Sequence, residues 1–292
     1  MNHKTYSLGL YEKSMPNTLS LEQKLAAAKE SGFDFMEISI DETDEKLKRL
    51  NMSVQKRIDL TALMERRGIR FETMCLSGHR KYPLGSPDEE TRARSLQIME
   101  DAVLLARDLG IRIIQLAGYD VYYEPSTEHT RLLFADGLKR SVEFAAKQGV
   151  LLAFETMETP FLNTVEKAMR WVWEIDSPYL MVYPDSGNLT NAAVATQTSV
   201  LDDIETGRGH IAAFHLKETV PGKYREIPYG TGHVDFRSII QKAYGMGVRR
   251  YMAEFWYVGQ QEWEKDVVNA NIFLRDKFGK LPLWGSMESS SC

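Results

Sequence analysis

The chain has 292 residues, 43% hydrophobic and 26% charged; domains typically hold roughly 100–200 residues, and a barrel can absorb 250 or more as one unit. With 20 Gly, 10 Pro and only two cysteines, Cys75 and Cys292, collagen-like, low-complexity and disulfide-framework readings are excluded. Acidic residues outnumber basic ones, 41 to 36, for a net charge of -5, which counts against nucleic acid as a partner because phosphate neutralisation needs a basic footprint.

The opening residues 1–6 carry no apolar signal segment, and no stretch nears the ~20 apolar residues of a membrane span. The expectation is a cytoplasmic protein with no membrane partner. From there, short apolar runs alternate with longer amphipathic ones. Runs at 6–11, 33–40, 70–76, 111–117, 150–155, 179–183, 211–216 and 250–255 have strand length, most being rich in β-branched and aromatic residues. Helical periodicity fills 21–31, 54–67, 89–109, 126–147, 165–175, 192–206, 236–244 and 262–278. Glycine closes many of these segments, as at Gly32, Gly68, Gly110, Gly149 and Gly247. Strands apolar on nearly every residue are what a parallel sheet covered on both faces requires. Eight such units predict an α/β chain folded as a single (β/α)8 TIM barrel over 1–284, followed by a flexible tail at 285–292. An open doubly wound sheet is the rival, but no G-x-G-x-x-G follows the first strand, whose exit is Tyr11-Glu12-Lys13-Ser14.

In such a barrel the active site lies at the C-terminal strand ends. Strands five to eight end on Glu155, Asp185, His215 and Glu254. Adjacent strands lie about 4.8 Å apart, so four tips can converge. Three carboxylates that close repel one another unless a cation joins them. An O3N donor set suits one divalent ion, Zn, Mn, Mg or Co, without choosing among them. A lone Glu after a strand is more often solvated, and a lone His in an apolar run more often a core residue. The repetition of placement favours a shared metal site. Glu37 interrupts strand two and needs a partner, while His79 sits in the basic exit of strand three, which could hold an anion; both are candidate substrate contacts. Gln115 ends strand four, and Glu158 and Asn188 follow ligand candidates by three positions, within reach of substrate. The long loop from Lys217 to His233 carries Arg225, Gly230 and Gly232. Loops after strands seven and eight often bind phosphate through backbone N–H groups, so Lys217, Gly230 and Gly232 are candidate phosphate ligands and Arg225 a substrate contact.

The strings Leu10-Tyr11-Glu12-Lys13, Cys75-Leu76-Ser77-Gly78-His79-Arg80, Gln115 to Tyr123 and Tyr183 to Leu189, with the ligand quartet, closely resemble bacterial L-ribulose-5-phosphate (L-xylulose-5-phosphate) 3-epimerases. These belong to the sugar isomerase/epimerase-like barrels. The resemblance spans about residues 6–278 and implies metal ligands at Glu155, Asp185, His215 and Glu254. It also implies a small phosphosugar substrate, a place in L-ascorbate or L-xylulose catabolism, and a homodimer. Free-ketose epimerases of this superfamily carry His three residues after the Asp ligand; Asn188 here points to the phosphosugar branch. Inverting C3 of a 2-ketopentose 5-phosphate requires proton removal beside a carbonyl and return to the other face, through an enediolate. Glu155 and Glu254 are the candidate bases. The rival readings are a ketose–aldose isomerase acting on a hexulose phosphate or hydroxypyruvate, an endonuclease IV-like enzyme, and a non-catalytic sugar binder. Six histidines in all are few for a multi-zinc nuclease cluster.

Overall fold

The computed structural model describes residues 5–279 and 281. Its elements in chain order are β1 (Ser7–Tyr11), α1 (Leu21–Glu30), β2 (Phe35–Ile40), α2 (Asp44–Leu47), α3 (Val54–Arg67), β3 (Phe71–Leu76) and α4 (Glu89–Leu109). There follow β4 (Ile113–Ala117), α5 (Glu128–Gln148), β5 (Leu151–Glu155), α6 (Val165–Ile175), β6 (Leu180–Tyr183), α7 (Ser186–Thr196) and α8 (Val200–Thr206). The last are β7 (Phe214–Leu216), α9 (Phe236–Gly245), β8 (Arg250–Ala253) and α10 (Trp263–Phe278). The strands pair in parallel in the order β6-β5-β4-β3-β2-β1-β8-β7. Parallel bridges Val182–Ile211 and Asp185–His215 join β6 to β7 and close the barrel. The eight-stranded barrel read from the sequence is therefore the fold; the tail at 285–292 and the domain boundary at 284 lie outside the described residues.

Strict alternation of helix and strand fails in two places. Thr43 caps the short, unexpected α2. The helix expected at 192–206 is two, because the Asp185 side chain accepts the Asn188 N–H (2.6 Å) and starts α7 at the strand end. Gln197 then adopts φ +57°, and Ser199 caps α8.

Two layers of side chains surround the sheet. Residues such as Leu10, Ile38, Ile114, Phe154 and Phe214 pack outward against the helices, each fully buried side chain contributing about 1.5–3 kcal/mol. Tyr11, Phe35, Cys75, Ile113, Ala153, Tyr183, Ala213 and Met252 fill the lumen. Gly9 belongs to that arrangement: a Cβ there would stand 2.6 Å from the Phe35 ring. Trp171 packs on Phe134 at 5.0 Å between centroids, whereas Trp173 is exposed. No helix among the described residues is long and apolar enough to cross a membrane.

Candidate active site

Side chains alternate in and out along a strand. Moving two residues on from Phe35, Ile113, Ala153, Tyr183, Ala213 and Met252 brings Glu37, Gln115, Glu155, Asp185, His215 and Glu254 to the lumen, all buried. One further step reaches Lys217 and Trp256 at the mouth, where Tyr11 is likewise followed by Lys13. The mouth opens into a cleft lined also by Glu155, Asn188 and Glu254. Glu155, Asp185, His215 and Glu254 each offer a ligand atom within 4.8 Å of the others.

His215 stands at the centre. Glu37 Oε1 lies 2.9 Å from its Nε2, which directs Nδ1 toward Glu155 Oε1 (3.4 Å) and Glu254 Oε2 (3.0 Å). Burial would lower the imidazole pKa, but the charges of Glu254 and Glu37 override it and raise the group well above its ordinary value. Glu155 is raised by burial and by Glu254, and Gln115 Nε2 donates to its Oε2 at 2.5 Å. Burial pushes Asp185 up to about 8, although Lys217 opposes the shift. Glu254 lies well below the usual carboxylate range, since Lys217 and His215 outweigh its burial.

These residues fit a divalent cation. Asp185 Oδ2 and Glu254 Oε2 are buried without a hydrogen-bond partner, the nearby Nδ1 of His215 being outside hydrogen-bond geometry. Buried anionic oxygens without partners are costly unless a cation meets them. The donor set is three carboxylates and one imidazole, and the Glu37–His215 contact is the carboxylate support that metal-binding histidines commonly have.

Lys217 revises the electrostatic argument. Its Nζ lies 3.0 Å from Asp185 Oδ1 and 3.8 Å from Glu254 Oε2, so a buried ammonium already offsets part of the carboxylate repulsion. Other expected contacts divide. Asn188 lines the cleft and donates from Nδ2 to the Thr156 carbonyl (2.7 Å). Glu158 receives hydrogen bonds from Tyr119 (3.0 Å) and Tyr122 (3.3 Å), with Arg225 3.9 Å away; both Glu158 and Arg225 line the cleft. Glu37 lies behind His215, fully buried, and is not among the cleft-lining residues.

Two expectations do not carry through. His79 turns into the packing of α4, its Nε2 3.2 Å from the Ser95 carbonyl, and burial lowers its pKa to about 4. The glycine loop is occupied by an internal anion. Buried Glu218 accepts N–H groups of Gly230 (3.0 Å), Val234 (3.1 Å) and Thr219 (3.2 Å), and it fills the space a Gly232 Cβ would need. The Gly230 N–H is thus taken by Glu218, and the space beside Gly232 is filled. Arg80, in the basic exit of strand three, lines the cleft, as does Lys13 just after β1, which the sequence reading passed over.

The closed parallel barrel and the inward carboxylate–histidine cluster define the class: the chain belongs to the xylose isomerase-like TIM barrel family, whose model matches residues 25–276. It is 41% identical over 281 residues to L-ribulose-5-phosphate 3-epimerase UlaE of Shigella sonnei (strain Ss046), covering 96% of this chain and 98% of that protein. It is 40% identical to the protein of the same name from Salmonella heidelberg (strain SL476), covering 97% and 99%. A solved L-ribulose 3-epimerase matches with a TM-score of 0.73 at 19% identity, over 94% of this chain and 93% of that one. D-psicose 3-epimerase, solved in the presence of D-fructose, matches with a TM-score of 0.76 at 18% identity, over 94% and 100%. These structural likenesses establish the fold.

Proposed function

We propose that the chain is a metal-dependent L-ribulose-5-phosphate 3-epimerase that interconverts L-xylulose 5-phosphate and L-ribulose 5-phosphate by moving the C3 proton. The observation that carries this reading is the pair Glu155 and Glu254 converging beside His215, in a chain 41% identical to relatives of that name. Glu155, Asp185, His215 and Glu254 would hold the ion, whether Zn, Mn, Mg or Co. Bound there, a divalent cation would supply Lewis-acid stabilisation of the negative charge that develops on the substrate.

The remaining work falls to the chain's own groups. Glu155 and Glu254 extend from β5 and from the end of β8, with the β6 and β7 tips between them. That separation suits one carboxylate to each face of C3: one removes the proton and the other returns it, each contributing on the order of 10²–10⁴-fold in rate. Gln115 positions Glu155, and Glu37 positions His215. Asn188, with Oδ1 unpartnered, and Glu158 face the substrate's hydroxyl groups. We carry forward with this reading a cytoplasmic homodimer in L-ascorbate or L-xylulose catabolism, the oligomer being open to sedimentation measurement.

The test is NMR of L-xylulose 5-phosphate in D2O. Deuterium enters C3 of both epimers with wild type and ceases on chelation. Glu155→Gln folds yet loses the exchange. Exchange confined to C1 would identify a ketose–aldose isomerase instead.

A further inference from the structure

Below the cleft, the barrel lumen holds polar atoms that the epimerase reading leaves unused. Glu37 turns one carboxylate oxygen, Oε1, to His215 Nε2 at 2.9 Å. Its other oxygen, Oε2, is buried without a hydrogen-bond partner, and so are Thr73 Oγ1 and the Tyr183 hydroxyl. All three residues are fully buried. Thr73 is the register partner of Glu37 across β2 and β3. Tyr183 enters from β6; its ring lies 4.6 Å from that of His215 between centroids, and its hydroxyl faces the Glu37 and Thr73 side chains. Phe35, Ile113, Ala153 and Ala213 make the neighbouring lumen apolar.

A hydroxyl buried in such surroundings is costly unless it is bonded. The three atoms are complementary: a carboxylate oxygen only accepts, whereas each hydroxyl carries a hydrogen that rotates to suit its partner. Bonds to an ionised carboxylate are also the stronger kind. A carboxylate gripped at one oxygen can swing about its side-chain torsions, but one gripped at both holds the imidazole at a single angle. None of Glu37, Thr73 and Tyr183 is among the cleft-lining residues, so whatever they do for the reaction passes through His215.

We propose that Tyr183 and Thr73 are positioning residues that hold His215 through Glu37. Their hydroxyls grip Glu37 Oε2, so that Oε1 fixes the imidazole and keeps Nδ1 directed at Glu155 and Glu254. Side chains from β2, β3 and β6 are thereby tied to the ligand candidate just beyond the start of β7. The consequence for metal retention rests on the metal-site reading above; the orientation of the imidazole does not.

The experiment uses Tyr183→Phe, Thr73→Val and Thr73→Ser, each close to the original in shape, with Tyr183→Phe also combined with Glu37→Ala. Bound Mn2+ is measured after dialysis against graded chelator, beside thermal unfolding. Tyr183→Phe and Thr73→Val weaken Mn2+ retention about 3- to 10-fold, less than the loss of a group that touches the ligand histidine itself. Thr73→Ser, which keeps the hydroxyl, restores it. In the Glu37→Ala background Tyr183→Phe changes retention less than about twofold, because the chain is already broken. In metal-free protein with labelled histidine, 1H–15N NMR shows the His215 Nε2 proton moving upfield and exchanging faster in Tyr183→Phe. A hydroxyl that serves packing alone would lower the melting temperature equally in both backgrounds and leave the His215 signal in place. That pattern, unchanged retention in both Tyr183→Phe and Thr73→Val, or equal losses with and without Glu37 would each overturn the proposal. A wild type that retains no divalent ion refutes the metal reading, while a shifted His215 signal in Tyr183→Phe still upholds the chain of contacts.

Discussion

Glu37 offers the sharpest check on how the site is held. Its carboxylate lies 2.9 Å from His215 Nε2, and both side chains are fully buried. A hydrogen bond to a charged group contributes about 1.5–3 kcal/mol, and 1.4 kcal/mol is a factor of ten in an equilibrium constant. Losing it should weaken metal retention by about 10- to 100-fold, the range found for carboxylates supporting ligand histidines. Glu37→Gln keeps an amide oxygen at the same place and should fall near the lower end; Glu37→Ala should fall near the upper. The assay is dialysis against graded chelator, followed by measurement of bound metal and of the metal concentration that restores half-maximal turnover. Circular dichroism confirms that each variant folds. Had Glu37 touched substrate, as its interruption of an apolar strand also allowed, the change would appear in KM at saturating metal. A Glu37→Ala protein that holds metal as tightly as wild type, or differs only in KM, refutes the positioning role.

Two further outcomes follow from burial and charge. Metal loading should release protons near neutral pH, because Asp185 is pushed up to about 8 by burial and His215 lies well above its ordinary value; both must deprotonate to ligate, so apparent affinity falls with falling pH. Calorimetry in buffers of different ionisation enthalpy measures the protons, and a buffer-independent heat would contradict this. Burial alone would raise the Glu12 carboxyl, but Arg49, Lys24 and Lys46 hold it well below the usual carboxylate range. Neutralising it in Glu12→Gln strands three cations and should cost about 3–5 kcal/mol at pH 7 in urea unfolding. Because the folded pKa is depressed, this contribution is complete above the unfolded value near 4.5 and is lost as pH falls through the folded one; a penalty that grows with acidification would contradict the sign.

Much of the fold and the centre of the site were legible in the chain because both depend on local pattern. Buried parallel strands are apolar over most of their length, and Glu155, Asp185, His215 and Glu254 stand within two residues of the ends of β5 to β8. The boundaries that misled were those set by a side chain doing two jobs. Asp185 is both a ligand candidate and the cap that starts α7, so helix begins where a loop was expected. Two glycines after β7 resembled an anion loop, yet a carboxylate from the preceding residues, Glu218, accepts the Gly230 N–H.

Sequence alone thus determined a barrel of eight parallel strands with four metal-ligand side-chain types at the ends of its last four. Tertiary structure decided which groups support them: Glu37 reaches His215 across 178 residues, and Gln115 reaches Glu155 across 40. It also turned His79 away into α4 and set Arg80 at the cleft beside Tyr119 and Tyr122. The reason is physical. Strand ends follow from the hydropathy of adjacent residues, whereas charge partners follow from barrel closure and register, which bring together side chains that no local pattern relates.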